Sequence, residues 1–127
     1  MSSNRILQIN AASTAACAVG IVATRQMLPA LFGLDSPLLL DVLAAGFIAY
    51  AGALALAAAR QPVGRHTLMA FTIADALWVA GSAVVLLLFW TELSLFARML
   101  IIGVALIVEV FATLQFRAAR LTGRSAA

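Results

Sequence analysis

Four long apolar runs, separated by short polar segments, dominate the hydrophobic pattern of the chain. They cover residues 6–24, 38–59, 67–90 and 95–116. As an α-helix rising ~1.5 Å per residue, each run is long enough to cross ~30 Å of hydrocarbon. Backbone groups in lipid must bond internally, and these runs lack the alternation of barrel strands. The pattern therefore predicts an all-α, four-transmembrane-helix bundle, built as a single domain over residues 1–127.

The segments between the runs contain the residues that break helices. Residues 25–37 include two prolines and a glycine, and they are long enough to form a short interfacial helix. Residues 60–66 and 91–94 are short connections, which predict antiparallel neighbouring helices. We expect the polar tail, residues 117–127, to fray at its end.

The composition places this bundle in a membrane. The chain has 127 residues, of which 65% are hydrophobic and 10% charged, and its mean hydropathy is +1.09. A soluble domain is usually about half apolar and about a quarter charged. We therefore expect the lipid bilayer to be its main surroundings. Abundant alanine and arginine with no lysine suggest GC-rich coding, and hence a bacterial inner membrane.

Arginine placement predicts the orientation of the bundle. Positive residues are enriched in cytoplasmic segments, so the side with more arginines should be cytoplasmic. Only Arg25 and Arg98 fall on one side of the predicted membrane. On the other side lie Arg5, Arg60, Arg65, Arg117, Arg120 and Arg124. Both termini should therefore be cytoplasmic. These isolated arginines form no basic stripe, so nucleic-acid binding is not expected despite a sequence pI near 10.5.

Few residues in the chain could carry metal, redox or catalytic chemistry. Cys17 is the single cysteine, which excludes an intrachain disulfide or a redox pair, and His66, the single histidine, lies in a predicted turn. We find no catalytic motif, phosphate loop or zinc-binding spacing. The sequence therefore predicts no catalytic residue, no cofactor and no metal site.

Two acidic residues lie inside the apolar runs, Asp75 in the third and Glu109 in the fourth. Counted from the midpoint of each run, both lie ~5 Å toward the cytoplasmic side. A charge at a helix centre costs about 2.5–3.5 kcal/mol on insertion scales, and two neighbouring carboxylates in a low dielectric disfavour each other's ionisation. Our hypothesis is that Asp75 and Glu109 share a proton.

Other polar residues at the same depth extend this pair into a layer across the bundle. Asn10 or Tyr50 would donate a hydrogen bond to whichever acid is ionised, and hydroxyl side chains lie on adjacent helix faces. The predicted ligand- or proton-binding layer consists of Asn10, Thr14, Tyr50, Thr72, Asp75, Glu109 and Thr113.

A second charged group lies nearer the outer surface. By residue count, Asp41, Arg98 and Arg25 are all ~10–14 Å outward of the midplane. We expect a salt bridge from Asp41 to Arg98 or to Arg25. Alternatively Arg98, which falls on the Glu109 face, draws an anion into an outer vestibule.

Stripes of small residues on the first two runs predict close helix contacts. Such residues allow helix backbones to approach in membranes. The stripes repeat every fourth residue and comprise Ala12, Ala16 and Gly20 on the first run, and Ala45, Ala49, Ala53 and Ala57 on the second.

These features leave two functions open. The first is binding of a proton, a cation or a small amphipathic amine within the bundle, and transport would then require a homodimer. The second is a non-catalytic accessory subunit of a larger membrane complex, in which the polar layer only fixes helix packing. A binding site predicts a cavity that reaches the acids, whereas an accessory role predicts a dry core and a flat outer face of small residues.

Two segments carry a resemblance to known proteins: "ADALWVAGS" (74–82) and "EVFATLQ" (109–115). In these the chain resembles a loose group of uncharacterised small bacterial four-span membrane proteins, and this resemblance implies no particular activity. The chain does not resemble the small multidrug resistance transporters, which are also four-helix proteins. Those carry an essential glutamate in the first helix, where this chain has no acid.

Overall fold

The computed structural model describes residues 2–60 and 62–126, with side chains as far as residue 122, so the side chain of Arg124 lies outside the described part. Within these residues the chain is helical and contains no strand. The helices are α1 (Ser3–Ala23), α2 (Leu28–Leu31), α3 (Leu38–Ala59), α4 (Arg65–Phe89) and α5 (Leu95–Ala126). The four long helices are apolar and long enough to cross a membrane. The predicted all-α fold with four candidate spans is thereby confirmed.

The helices begin at the residues that the sequence marks as breakers. The hydroxyl of Ser2 accepts the backbone N–H of Arg5 and caps α1. Pro37 precedes α3, and Gly64 precedes α4. The fourth long helix extends beyond its predicted end near residue 116, because α5 continues to Ala126. The apolar run ends at residue 116, but residues 117–121 are good helix formers and include no proline.

The predicted short helix in the first connection is present as α2, and it packs on the turn between α4 and α5. The backbone N–H of Ser94 donates to the carbonyl of Leu31 at 3.2 Å. Gly33 follows α2 with φ +69°, a left-handed conformation that favours glycine. A Cβ at this position would lie 3.5 Å from the carbonyl oxygen of Glu92. That distance is an ordinary contact, so the left-handed backbone conformation, and not a lack of space, favours glycine here.

The long helices pack in pairs. α1 packs mainly on α3 and α4 mainly on α5, with a smaller contact between α1 and α5. A buried apolar cluster lies at the end of the bundle that contains the 60–64 turn. Its members are Leu7, Ala11, Leu54, Ala58, Val63, Leu68 and Ala119. All four long helices contribute to it, so the two pairs are joined at this end.

The predicted small-residue stripes do not form the contacts within the chain. In the structure the exposed members are Ala12, Ala16, Gly20, Ala45, Ala49 and Ala53, and Ala57 is half-buried. The buried alanines on these helices include Ala44, Ala51 and Ala58, which repeat every seventh residue. A seven-residue repeat keeps one face directed at a packed neighbour, whereas a four-residue repeat drifts around the helix. In an alanine-rich helix both patterns occur, and only packing selects between them.

Candidate functional site

Asp75 is a buried acidic residue at the centre of the bundle, and only 3% of its surface is exposed. Its Oδ1 accepts a hydrogen bond from the Tyr50 hydroxyl at 2.7 Å. Its Oδ2 accepts from Asn10 Nδ2 at 3.1 Å and from Gln115 Nε2 at 3.0 Å. These four residues come from α4, α3, α1 and α5, so the carboxyl group connects all four long helices.

The partners of Asp75 also bond to one another. Asn10 Nδ2 donates to Gln115 Oε1 at 2.7 Å, and the Thr14 hydroxyl donates to Asn10 Oδ1 at 3.2 Å. We call Asn10, Thr14, Tyr50, Asp75 and Gln115 the polar cluster. Asn10 and Gln115 are 3% and 0% exposed, so these bonds are formed away from the surface of the protein.

The hydrogen bonds to Asp75 match those of an ionised carboxylate. An ionised carboxylate only accepts, and both of its oxygens accept here from neutral donors. Within the described part of the chain, no cationic side chain bonds to Asp75. The hydrogen-bonding capacity is therefore satisfied, while a formal negative charge has no counter-charge.

The polar cluster can also hold Asp75 in its protonated form. The Tyr50 hydroxyl lies 2.7 Å from Asp75 Oδ1 and 3.4 Å from the backbone oxygen of Phe71. A proton on Oδ1 would be donated to the Tyr50 oxygen, and the hydroxyl would then turn its own proton toward Phe71. Both protonation states of Asp75 therefore have hydrogen-bond partners without a change in the helix packing.

A cavity of about 390 Å³ lies beside the polar cluster, between the four long helices. Asp75, Asn10 and Tyr50 form part of its wall, and it extends along the helices away from the apolar cluster. Val42 and Ile107 also line it, and they are 60% and 52% exposed. The cavity therefore reaches the surface of the protein within the candidate membrane spans.

Four aromatic side chains line this cavity: Phe47, Tyr50, Trp78 and Phe111. The rings of Phe47 and Trp78 meet edge to face, with centroids 4.9 Å apart and an interplanar angle of 62°. Trp78 Nε1 is buried and has no hydrogen-bond partner among the described residues. A buried donor without an acceptor is rare in folded proteins, so this N–H is an unsatisfied donor on a residue that lines the cavity.

The structure brings together four of the seven residues of the predicted layer: Asn10, Thr14, Tyr50 and Asp75. Glu109 is not among them, because it is exposed on the outside of α5. The hydroxyl of Thr72 donates to the backbone oxygen of Leu68 at 2.8 Å. That of Thr113 donates to the backbone oxygen of Glu109 at 2.9 Å. Each of these two hydroxyls is therefore bonded within its own helix, and Glu109 does not share a proton with Asp75 in the chain.

Gln115 occupies the place beside Asp75 that was predicted for Glu109. Asp75 and Glu109 lie equally far along their helices from the connection between α4 and α5, and Gln115 lies farther from it. The step from Glu109 to Gln115 corresponds to ~9 Å along a helix, part of which the long glutamine side chain spans. Counting residues gives the depth of each position but not the face of the helix on which its side chain lies.

A periodic signal in the sequence could have identified Gln115. It lies between Ala112 and Ala119, and all three are buried. Their spacing of three and four residues marks one face of a helix. Glu109 is six residues from Gln115 and at ~100° per residue points about 120° away from it. The stripe of small residues therefore indicates which of the two polar residues faces inward.

The outer charged group forms one of the two predicted ion pairs. Arg25 Nη2 lies 2.8 Å from Asp41 Oδ2, and the two side chains are 38% and 39% exposed. The hydrogen bond from Arg25 Nε to Asp41 Oδ1 makes the pair bidentate, and bonding to Asp41 raises the pKa of Arg25. Arg98 does not join them. It donates from Nε to the backbone oxygen of Trp90 at 2.9 Å and lies 4.3 Å from the centre of the Trp90 ring.

No likeness to known proteins assigns a role to this site. The chain matches no model of a known protein family, no curated protein and no solved structure. Within the described residues, no three histidine, cysteine, aspartate or glutamate side chains are grouped as a metal site would require. The polar cluster and the cavity beside it are therefore the features on which a function can be argued.

Proposed function

We propose that this protein binds a small amphipathic amine, in its cationic form, in the cavity beside Asp75. One observation carries the proposal: a buried carboxyl group, with three neutral hydrogen-bond donors and no cationic partner among the described residues, lies in the wall of a cavity of about 390 Å³. Purely structural polar contacts between helices would need neither the cavity nor the uncompensated charge.

The negative charge favours a cationic ligand. An ionised aspartate in the middle of a membrane helix costs about 2.5–3.5 kcal/mol. A cation placed about 4 Å from it would recover about 4 kcal/mol at an effective dielectric constant of 20. Desolvation of the ligand offsets part of this gain, so we expect about 2–3 kcal/mol from the charge.

The rest of the cavity favours an apolar body on the same ligand. Aromatic rings attract an ammonium group, and Phe47, Tyr50, Trp78 and Phe111 line the cavity together with aliphatic side chains of α3 and α5. An amphipathic amine combines the charge and the apolar surface that these residues match.

Proton and cation would compete for Asp75, because the polar cluster has hydrogen-bond partners for the protonated acid as well. A quaternary ammonium ion keeps its charge at every pH, so any pH dependence of its binding reports on the protein. We expect its binding to weaken as the pH falls, since protonation removes the charge of Asp75.

Calorimetric titration of the purified full chain with benzyltrimethylammonium tests the proposal. Neopentylbenzene is the matched uncharged ligand, because a carbon atom replaces the nitrogen. We expect the cation to bind and the Asp75→Asn variant to bind it roughly 30- to 150-fold more weakly, as the charge contribution of about 2–3 kcal/mol implies. Binding of the hydrocarbon should be the same in both proteins.

The Asp75→Asn variant is expected to fold. Its amide oxygen can accept from Asn10 and Gln115 in the place of Oδ2. Its NH₂ group can then donate to the Tyr50 oxygen, while the Tyr50 hydroxyl turns to the carbonyl of Phe71. Circular dichroism and the unfolding midpoint check this, so a loss of binding can be separated from a loss of structure.

Cys17 provides a second readout, because it is the single cysteine and lines the cavity. Benzyltrimethylammonium should slow its reaction with N-ethylmaleimide in the native protein, and to a much smaller degree in the Asp75→Asn variant. Equal affinity for the cation and for neopentylbenzene, or equal protection of Cys17 in both proteins, would show that Asp75 does not select a cation.

Our proposal for the membrane topology is antiparallel neighbouring helices with both termini in the cytoplasm of a bacterial cell. Two contacts support it: Asn4 near the start of α1 donates to the carbonyl of Ala58 near the end of α3, and Arg25 after α1 pairs with Asp41 at the start of α3. The arginine bias supports the orientation. A reporter enzyme that works only in the cytoplasm should be active when fused to the C-terminus. A reporter that works only outside the cytoplasm should be inactive there.

A second candidate function is that of an accessory subunit in a larger membrane complex. The outward-facing small residues of α1 and α3 favour it, because such residues allow another helix to approach closely. Ala16→Leu and Ala49→Leu would fill this face while leaving the polar cluster unchanged. A role in assembly predicts that both substitutions impair function in cells, whereas the binding role predicts that only Asp75→Asn does so.

A further inference from the structure

Glu109 is an acidic residue in the middle of a candidate membrane span that the bundle does not bury. It lies halfway along Leu95–Thr122, a helix long and apolar enough to cross a membrane. The residue is nevertheless exposed, and so are Ile102, Leu106 and Phe116 on the same side of α5. Its carboxyl group is therefore on the face that would meet lipid.

Nothing in the described part of the chain compensates this carboxyl group. No side-chain hydrogen bond or ion pair to it is formed. The Thr113 hydroxyl one turn away donates to the backbone oxygen of Glu109, not to its carboxyl group. The nearest arginine on α5, Arg117, is eight residues away, ~12 Å along the axis. The carboxyl group of Glu109 must therefore form its hydrogen bonds with a partner outside the chain.

The missing partner has to satisfy a protonated carboxylic acid. In lipid the neutral acid is the less costly form, and it carries one O–H donor and one carbonyl acceptor. Two such acids complete each other, because each donates to the oxygen of the other. Self-complementarity of this kind is what an interface with twofold symmetry requires.

We propose that two copies of this chain associate through the Glu109 face of α5, with the two Glu109 side chains paired as carboxylic acids. Copies inserted in the same orientation carry this residue at the same depth, so a twofold axis along the membrane normal brings the two acids together. A different membrane protein would need a donor and an acceptor at that one depth, whereas a second copy supplies both. This inference is independent of ligand binding, because the cavity is lined by Val104 and Val108 on the other side of α5.

Energy transfer between full-length chains in lipid vesicles, with donor and acceptor fluorophores fused at the C-terminus and diluted with lipid, measures the association. The native chain should associate. Glu109→Leu should raise the dissociation constant about 5- to 30-fold, which corresponds to about 1–2 kcal/mol for an interhelical polar contact in model peptides. Glu109→Gln is the matched control: it should retain the association, because an amide also both donates and accepts.

Cross-linking identifies the face. In a Cys17→Ser background, Leu106→Cys on the Glu109 face should form disulfide-linked dimers, and Val19→Cys, exposed on α1, should not. The proposal is overturned if the native chain is monomeric at every dilution or if Glu109→Leu associates as tightly as the native chain. It is likewise overturned if Glu109→Gln dissociates as Glu109→Leu does, or if Val19→Cys cross-links as efficiently as Leu106→Cys.

Discussion

Replacing Gln115 by leucine tests whether the polar cluster stabilises the bundle. Gln115 is fully buried, and its two hydrogen bonds join α5 to Asp75 of α4 and to Asn10 of α1. Leucine is of similar size but can form neither bond. We therefore expect the substitution to lower the free energy of unfolding while the helices remain in place.

The size of the effect follows from what the substitution leaves behind. Hydrogen bonds between membrane helices contribute ~0.6 kcal/mol on average and at most ~1.7 kcal/mol, so two bonds account for about 1–3 kcal/mol. One amide proton of Asn10 also loses its acceptor at a buried position, which costs about 1–3 kcal/mol where no water can replace it. We expect a total loss of about 2–6 kcal/mol.

Reversible unfolding in mixed detergent and SDS micelles, followed by circular dichroism, measures this loss. Thr113→Val is the control, because Thr113 is exposed on the same helix and its hydroxyl bonds only within α5. It should change the free energy by less than about 0.5 kcal/mol. A double-mutant cycle with Asn10→Leu should give a coupling of at least about 0.5 kcal/mol. If Gln115→Leu unfolds like Thr113→Val, the polar cluster does not hold the helices together.

Three further substitutions address other parts of the structure. Tyr50→Phe removes the hydroxyl that bonds to Asp75, and it should lower the free energy of unfolding by about 1 kcal/mol in the same assay. Calorimetry should still detect binding of benzyltrimethylammonium to this variant. Gly33→Ala introduces a Cβ at a φ of +69°, and should cost about 1–2 kcal/mol in that assay. Arg25→Ala breaks the ion pair with Asp41 and should lower the unfolding midpoint slightly. Because the pair is exposed to solvent, molar salt should remove this difference between the variant and the native chain.

The number and extent of the membrane helices could be predicted from the sequence. The hydrophobic effect and the need to satisfy the backbone in lipid act locally, so an apolar run of sufficient length specifies its own helix. The predicted run 38–59 coincides with α3, Leu38–Ala59. The end of α5 could not be predicted in this way, because a helix need not end where its apolar run ends.

The members of the polar cluster could be predicted only in part. The cost of a charge in lipid already indicated that Asp75 faces the interior, and Asn10 and Tyr50 lie near its level. The choice between Glu109 and Gln115 depends on how far α5 is shifted and rotated against α4. That offset is the sum of many packing contacts between helices, and no single residue determines it.

The sequence by itself thus determined the all-helical architecture, the four candidate spans and the presence of a buried acid, because these depend on the chemistry of each segment alone. The tertiary structure decided which polar groups reach Asp75, which face of α5 carries Glu109 and where the cavity lies. Each of these depends on the relative position of two or more helices, and small alanine-rich faces permit several such positions. Only the packed bundle selects one of them.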